Sequence, residues 1–464
     1  IVQVITSMNY KIIGCTSMQE QNNSSVAILK RTKNIQPDTT TLMGGINCEG
    51  EMAEGIASLS DAIDYIFSGE SEDSFEKFLK GYSKGELPSK RVVTGNLLKD
   101  LNTLPLPYYK SYFSQTRQFL QENKPNNMIL SYETSRGCRK AQKGRCFFCG
   151  GIRNFDRFRL KSEEKVEEDL DRIADSYPVN AILMTDNMVP RFFYKKILPF
   201  LSGEKEYPRI WYQENTNLKL SDLINLKKAR INSLLLGIEA LSTNLLKLMN
   251  KGVTARQNLL LLRNARSVGM HCSWHMLWGF PGDKIAHYEE TLRLLPLIRH
   301  LQPPAEFLSL KLSRYSSYVM NPHYHRVENL RPLEVYRKIY PDWADIDRLG
   351  CYFTGDYPCE ALDNPGLIQE LADEVELWKK TFMEAKLVMI PSADYYIVYD
   401  GRLPGKEKSH ILIAPQAKET MAYGKYNESE YQEWSLEQKL GVVVDSWYVP
   451  LVTASPDLLL EFES

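Results

Sequence analysis

The residues with the clearest chemical potential are Cys138, Cys146 and Cys149, three thiols spaced C-x7-C-x2-C. The other five cysteines, Cys15, Cys48, Cys272, Cys351 and Cys359, are scattered through the 464 residues. A secreted disulfide scaffold would be shorter and denser in cysteine, so a reducing, cytoplasmic setting is expected and the cluster reads as metal chemistry. A structural zinc site wants four protein ligands. A fully protein-ligated [4Fe–4S] cluster wants four thiolates. Three thiolates on one loop would leave one iron open to another ligand. Arg136, Arg139, Lys140, Lys143 and Arg145 flank the cysteines and would offset their negative charge. A zinc knuckle that borrows a distant ligand such as Cys272 is the competing reading. A redox disulfide between Cys146 and Cys149 leaves Cys138 unexplained.

These thiols follow a strand-like run, and the elements that position them are visible in the periodicity. Strand-like segments at Asn127–Thr134, Asn180–Thr185, Arg209–Asn215, Ser233–Gly237, His271–Gly279 and Glu306–Leu312 alternate with amphipathic helices near Ser162–Ser176, Arg191–Leu201, Leu220–Ala229, Thr254–Val268 and Ile285–Arg299. Six βα repeats predict an α/β fold with a partial (β/α)6 barrel over residues 127–318. Ligands in such folds sit at the carboxyl ends of the strands, where the cysteine loop falls. Ahead of it, apolar runs at Lys11–Ser17, Thr41–Ile46 and Asp64–Gly69 alternate with helical stretches over residues 1–83. They predict about three strands of a doubly wound sheet, half of a usual dinucleotide-type domain. Gly44–Gly45 reads either as a phosphate-approach turn or as a tight turn. Residues 84–126, rich in Pro, Lys, Asn and Tyr, read as a linker. Residues 319–378 read as a helical or irregular connection, and residues 379–464 as a small α+β module.

Lys plus Arg number 57 and Asp plus Glu 58, a formal net charge of −1. That balance argues against a nucleic-acid partner, which usually meets a basic excess. No stretch approaches the ~20 apolar residues of a membrane span, so no membrane is expected. The first residues lack a secretory signal. Ile1 is not an initiator Met, and the chain is expected to begin part-way through its first domain.

Thr134–Ser135–Arg136–Gly137–Cys138, the two later cysteines and Phe148 resemble the radical S-adenosylmethionine (SAM) superfamily. The wide first spacing resembles its subgroup that matures ribosomally made peptides, described as cobalamin-binding peptide C-methyltransferases. Thr185–Asp186–Asn187, Gly237–Ile238–Glu239–Ala240–Leu241–Ser242, Leu248–Met249–Asn250–Lys251–Gly252–Val253 and Leu277–Trp278–Gly279–Phe280–Pro281–Gly282 continue the likeness. His300–Leu301–Gln302–Pro303–Pro304 and Arg314–Tyr315–Ser316–Ser317–Tyr318 extend it downstream.

The resemblance implies that Cys138, Cys146 and Cys149 ligate three irons of a [4Fe–4S] cluster. The fourth iron would hold SAM, whose reductive cleavage yields a 5′-deoxyadenosyl radical. Asp186 and Asn187 match the position that meets the methionyl amino group; their alternative is helix capping. Glu239 would face ribose hydroxyls or the methionyl moiety, and Asn215 with Asn217 would line the same mouth. Gly279 and Gly282 would let backbone approach the adenosine, and Phe148 would pack beside the adenine. Turn chemistry or core packing is the alternative for each. Tyr315, Tyr318, His323 and His325 follow the last strand and would face the substrate. No general catalytic side chain is identified.

The family's first domain is Rossmann-like and usually binds cobalamin. No histidine precedes His271, so a histidine-ligated mode is excluded for this region; the subgroup often lacks that ligand, and cobalamin stays open. The C-terminal module resembles a winged-helix-like appendage, with peptide capture or simple packing as its two roles. The function implied is one-carbon transfer to an unactivated carbon of a precursor peptide, by C-methylation or cyclopropane-forming methylene transfer, with an external electron donor. Epimerisation or cross-linking is the alternative within the class. A zinc-stabilised peptide-binding protein is the alternative outside it.

Overall fold

A computed structural model describes residues 1–120, 128–150, 153–154, 156–463 of the chain. Two compact units are present: the smaller takes Ile1–Leu101, Cys146–Phe155 and Lys311–Tyr357, and the larger takes Asn102–Arg145, Asp156–Leu310 and Pro358–Ser464.

In the smaller unit, four parallel strands pair in chain order: Ile12–Thr16, Thr40–Gly44, Tyr65–Ser68 and Val92–Thr94. The fourth strand is a correction to the sequence reading, which placed residues 84–126 in a linker. Three residues are too few to show a period, and Val92–Thr94 is a strand because backbone pairing with Tyr65–Ser68 supplies its hydrogen bonds. The helix Lys110–Leu120 lies in that linker as well. Asn22–Ile35 and Met52–Leu59 cover the sheet. Ile13, Leu29, Met43, Ile56 and Ile66 form one buried cluster there, each worth about 1.5–3 kcal/mol by removal from water. A second, antiparallel sheet joins Leu312–Ser313, Tyr352–Asp356 and Glu328–Pro332. Residues 319–378 therefore contain two strands beside their helices, where only a helical or irregular connection was expected. Glu328–Pro332 carries a register irregularity, which breaks its alternation in sequence.

Among the described residues, the larger unit holds seven parallel strands. We number them β1 (Ile129–Tyr132), β2 (Ala181–Met184), β3 (Arg209–Glu214), β4 (Ser233–Leu236), β5 (His271–Ser273), β6 (His275–Trp278) and β7 (Glu306–Ser309). The sheet runs β5-β4-β3-β2-β1, all parallel. β6 pairs in parallel with β7, and a parallel bridge between Glu239 and Met276 continues β4 toward β6. The single run His271–Gly279 is thus two strands broken at Trp274, whose fully buried indole donates to the Gln302 carbonyl at 3.0 Å. Asn127, at the start of the first expected strand, lies outside the described residues.

Alternation explains the layering. Leu130, Ile182, Ile210, Leu234 and Cys272 are buried, whereas Leu183, Trp211 and Leu235 on the opposite face are exposed. The helix Glu163–Ser176 presents Val166, Leu170 and Ile173 to the core, and Ser162 caps it by accepting from the Lys165 amide at 3.2 Å. Residues 379–464 carry two three-stranded antiparallel sheets. One joins Leu387–Pro391, Tyr396–Asp400 and Lys408–Leu412, and the other Gly424–Lys425, Trp447–Pro450 and Gly441–Val444. Among the described residues, no helix is long and apolar enough to cross a membrane.

Candidate active site

In the larger unit Asp186, Asn215 and Glu239, singled out in the sequence, lie just past the carboxyl ends of parallel strands. Asp186 follows β2 and is 1% exposed. It accepts hydrogen bonds from the Thr134 amide at 3.0 Å, from the Thr134 hydroxyl at 2.8 Å and from the Ser135 hydroxyl. Desolvation nevertheless dominates and pushes its carboxyl up to about 6. Asp186 is therefore spent on the loop that leads into Cys138. Asn187, half-buried, reinforces that grip: its amide donates to the Gly137 carbonyl at 3.2 Å. Neither residue caps a regular helix here.

Glu214 ends β3 and is 7% exposed. The Tyr194 hydroxyl donates to it at 2.9 Å and the Asn215 amide at 2.6 Å. Burial pushes its carboxyl up to about 7. Asn215 itself is half-buried, and its side-chain oxygen accepts from the Thr216 amide at 2.8 Å. Sequence reasoning passed over Glu214 and Tyr194 because they occupy buried positions of regular elements. An ionisable residue in a strand otherwise alternating with Ile210 and Tyr212 was the available signal.

Glu239, just beyond β4, has φ of +60° and donates nothing to a helix; its carbonyl accepts from the Leu277 amide at 2.8 Å. Lys251 pairs with its carboxylate at 2.8 Å, with both side chains largely buried. A Cβ on Gly237 would sit 2.7 Å from the Lys251 ammonium. The glycine therefore makes the room in which that ion pair forms, and Lys251 is a member of the site that the motif reading left without a role. Gly279 and Gly282 have φ of +84° and +81°, the left-handed region glycine enters freely. Asp283 locks their turn, accepting from the Phe280 amide at 3.1 Å and the Tyr288 hydroxyl at 2.7 Å, while that hydroxyl accepts from the Gly279 amide at 2.9 Å.

The cysteine loop is divided, with Cys138 in the larger unit and Cys146 and Cys149 in the smaller. All three are half-buried, as is Phe148. The Cys149 amide donates to the Cys146 carbonyl at 3.2 Å, closing a turn. Among the described residues, no three His, Cys, Asp or Glu side chains are drawn together as a metal cage.

Residues 132–295 match the Radical SAM superfamily. The matched segment is a radical SAM domain. Over 316 residues the chain is 23% identical to an uncharacterized methyltransferase of Pyrococcus horikoshii, covering 63% of this chain and 65% of that one. It is 20% identical over 316 residues to the anaerobic magnesium-protoporphyrin IX monomethyl ester cyclase of Rubrivivax gelatinosus, covering 62% and 55%. The chain thus spans less than two thirds of the length of either relative. Two solved structures share the fold. The cobalamin-dependent SAM radical enzyme OxsB, with aqua-cobalamin and SAM bound, superposes with a TM-score of 0.59 at 13% identity, over 99% of this chain and 71% of that one. The radical SAM methyltransferase TsrM of Kitasatospora setae superposes with a TM-score of 0.58 at 14% identity, over 85% and 82%.

A radical SAM domain implies a [4Fe–4S] cluster and SAM, and the cluster supplies the electron that cleaves SAM. Three thiols stand within a dozen residues on the loop, whereas the other five cysteines are scattered in sequence. Burial pushes the Cys48, Cys272 and Cys359 thiols up to about 12, which disfavours the thiolate that binds a metal. Cys272 in particular is 1% exposed within β5, and among the described residues no trio of His, Cys, Asp or Glu side chains is drawn together around it. Cys138, Cys146 and Cys149 remain as half-buried donors on a loop whose entry Asp186 and Asn187 hold.

The buried carboxyl of the radical SAM domain makes a pH prediction. Glu214 shifts from 4.5 unfolded to about 7 folded, so the folded state binds more protons between these values. Stability is then fully present below about 4.5 and is lost as pH rises through 7, by on the order of 3 kcal/mol. Glu214→Gln is expected to flatten the fall in melting temperature across that window; an unchanged slope would show that Glu214 titrates normally.

Proposed function

We propose that the chain belongs to a radical SAM enzyme that transfers a one-carbon group to an unactivated carbon of a ribosomally made precursor peptide. The observation that carries the reading is the three-cysteine loop placed directly after β1 of a radical SAM domain. One-carbon transfer is supported by the methyltransferase among its relatives and by the fold shared with TsrM and OxsB. The peptide substrate is supported by the motif resemblance and by a net charge of −1, which gives no polyanion a reason to bind. C-methylation or cyclopropane-forming methylene transfer is the chemistry preferred, with an electron donor as partner.

Cobalamin is part of the proposal. Its support is the likeness to OxsB and TsrM, because the glycines at the sheet edge do not supply a cradle. A Cβ on Gly45 would lie 2.5 Å from the Ser17 carbonyl oxygen, and one on Gly95 only 1.8 Å from that of Glu70. These glycines serve loop-on-loop packing, which favours the tight-turn reading of Gly44–Gly45.

The test is mass spectrometry of the precursor peptide encoded beside this chain, after anaerobic co-expression. A gain of one CH2 is expected for methylation and of one carbon for methylene transfer. Loss of two hydrogens, or inversion at unchanged mass, would replace one-carbon transfer by cross-linking or epimerisation. Full turnover without added cobalamin, and no corrinoid absorbance after reconstitution, would remove cobalamin.

A further inference from the structure

The second half of the cysteine loop is moored within the smaller unit by ring packing and hydrogen bonds. The side chain of Phe147, between Cys146 and Cys149, lies edge-to-face against three rings. Its centroid is 4.7 Å from His325, 6.2 Å from Tyr324 and 6.4 Å from Tyr318. His325 is the hub, with its own centroid 4.5 Å from Tyr318 and 4.8 Å from Tyr324. Edge-to-face ring pairs of this kind stabilise beyond the burial of their surfaces. The imidazole Nε2 and the Ser317 hydroxyl are 2.8 Å apart, and the Ser317 amide donates to the Phe147 carbonyl at 2.9 Å. Backbone and side chain of Phe147 are thus tied to one short segment. A second, independent mooring lies at Gly150, where a Cβ would fall 2.1 Å from that of Ser313 and 2.7 Å from the Arg314 carbonyl oxygen. No side chain fits there, so the turn is pressed against residues 313–325 at both ends.

We infer that Phe147 and His325 are positioning residues for the Cys146–Cys149 turn, with residues 313–325 as the template that sets its shape. Phe147 is the aromatic residue that docks the loop. The inference rests on the reading of the three cysteines as cluster ligands. Groups that orient metal ligands without touching the metal typically govern retention by ten- to a hundredfold.

The test uses the full chain, reconstituted anaerobically with iron and sulfide. Phe147→Leu keeps apolar volume without a ring, and His325→Asn keeps polarity without the hub. Both are expected to lose cluster absorbance to EDTA at least about tenfold faster than wild type and to alter the midpoint potential and the electron paramagnetic resonance signal of the reduced cluster. Phe147→Tyr, which restores the ring, is expected to recover wild-type behaviour. Unchanged circular dichroism in the variants separates positioning from unfolding. A wild type that holds its cluster beside variants with wild-type retention and potential overturns this inference alone. A wild type that takes up stoichiometric zinc and no iron overturns the radical SAM reading, and this inference with it.

Discussion

Alanine at Cys138, Cys146 or Cys149, singly, is expected to abolish SAM cleavage and to strip the chain of its four-iron cluster. On the proposed reading each thiolate would hold one iron, and a cluster left with two protein ligands would have neither the charge neutralisation nor the geometry to persist. Cys272→Ala serves as the contrast. Its thiol is buried and pushed up to about 12, so its loss should cost only packing, about 1 kcal/mol, with iron content unchanged. The measurement is iron and sulfide per chain after anaerobic reconstitution, together with 5′-deoxyadenosine formed from SAM under reductant. Retention of the cluster in any one of the three variants would remove that cysteine from the ligand set. Loss of metal in Cys272→Ala would instead revive the four-ligand zinc site.

Spacing is what singles out the three loop cysteines as proposed ligands. Cys138, Cys146 and Cys149 sit on a loop, where no packing demand explains three thiols so close in sequence. Cys272 lies in β5 as one more small apolar side chain, and its isolation in sequence agrees with its burial. Strand positions in the barrel were legible for a related reason. β2 and β4 are short apolar runs bounded by polar loops, and helices such as Glu163–Ser176 repeat their buried residues with the helical period. Val92–Thr94 was invisible because a three-residue strand carries no period and owes its existence to a neighbouring strand. The break at Trp274 was hidden because a buried indole continues an apolar run while its backbone leaves the ladder.

The site residues divide along the same line. Gly279 and Gly282 announce themselves because only glycine enters their backbone region without cost. Lys251 stays silent, since a lysine after a helix is ordinarily a solvated charge. Its meaning arises only when Gly237 makes room for its ammonium beside Glu239. In sequence His325 reads only as a substrate-facing residue, because its nest is assembled from a loop more than a hundred residues upstream.

Asp186 is where resemblance and geometry assign different tasks, and its substitution separates them. The resemblance implies contact with the methionyl amino group, an ionic attraction between a carboxylate and an ammonium. The structure instead commits both carboxylate oxygens to Thr134 and Ser135, at 1% exposure. Asp186→Ala would leave the Thr134 amide and the Ser135 hydroxyl buried without this acceptor, while the Thr134 hydroxyl keeps Tyr212 at 2.8 Å. Two orphaned donors at about 1–3 kcal/mol each give an expected loss of about 2–6 kcal/mol, a large share of the ~5–15 kcal/mol that holds a typical domain together. The loop entering Cys138 would loosen, and cluster retention should fall with thermal stability. Asp186→Asn keeps one acceptor oxygen but turns an NH2 toward donors, so its loss should be intermediate. The pH dependence has a definite sign. The carboxyl shifts from 3.8 to about 6 on folding, so wild-type stability falls as pH rises from about 4 to about 6, by on the order of 3 kcal/mol. The asparagine variant lacks that slope, which distinguishes it from Glu214→Gln, whose missing slope extends to about 7. The decisive measurement is a set of melting curves from pH 4 to 7 with and without SAM. A clamp predicts that Asp186→Ala melts well below wild type in the absence of SAM. A variant that melts with wild type when SAM is absent, and differs only in failing to gain stability from SAM, would restore Asp186 to the ligand.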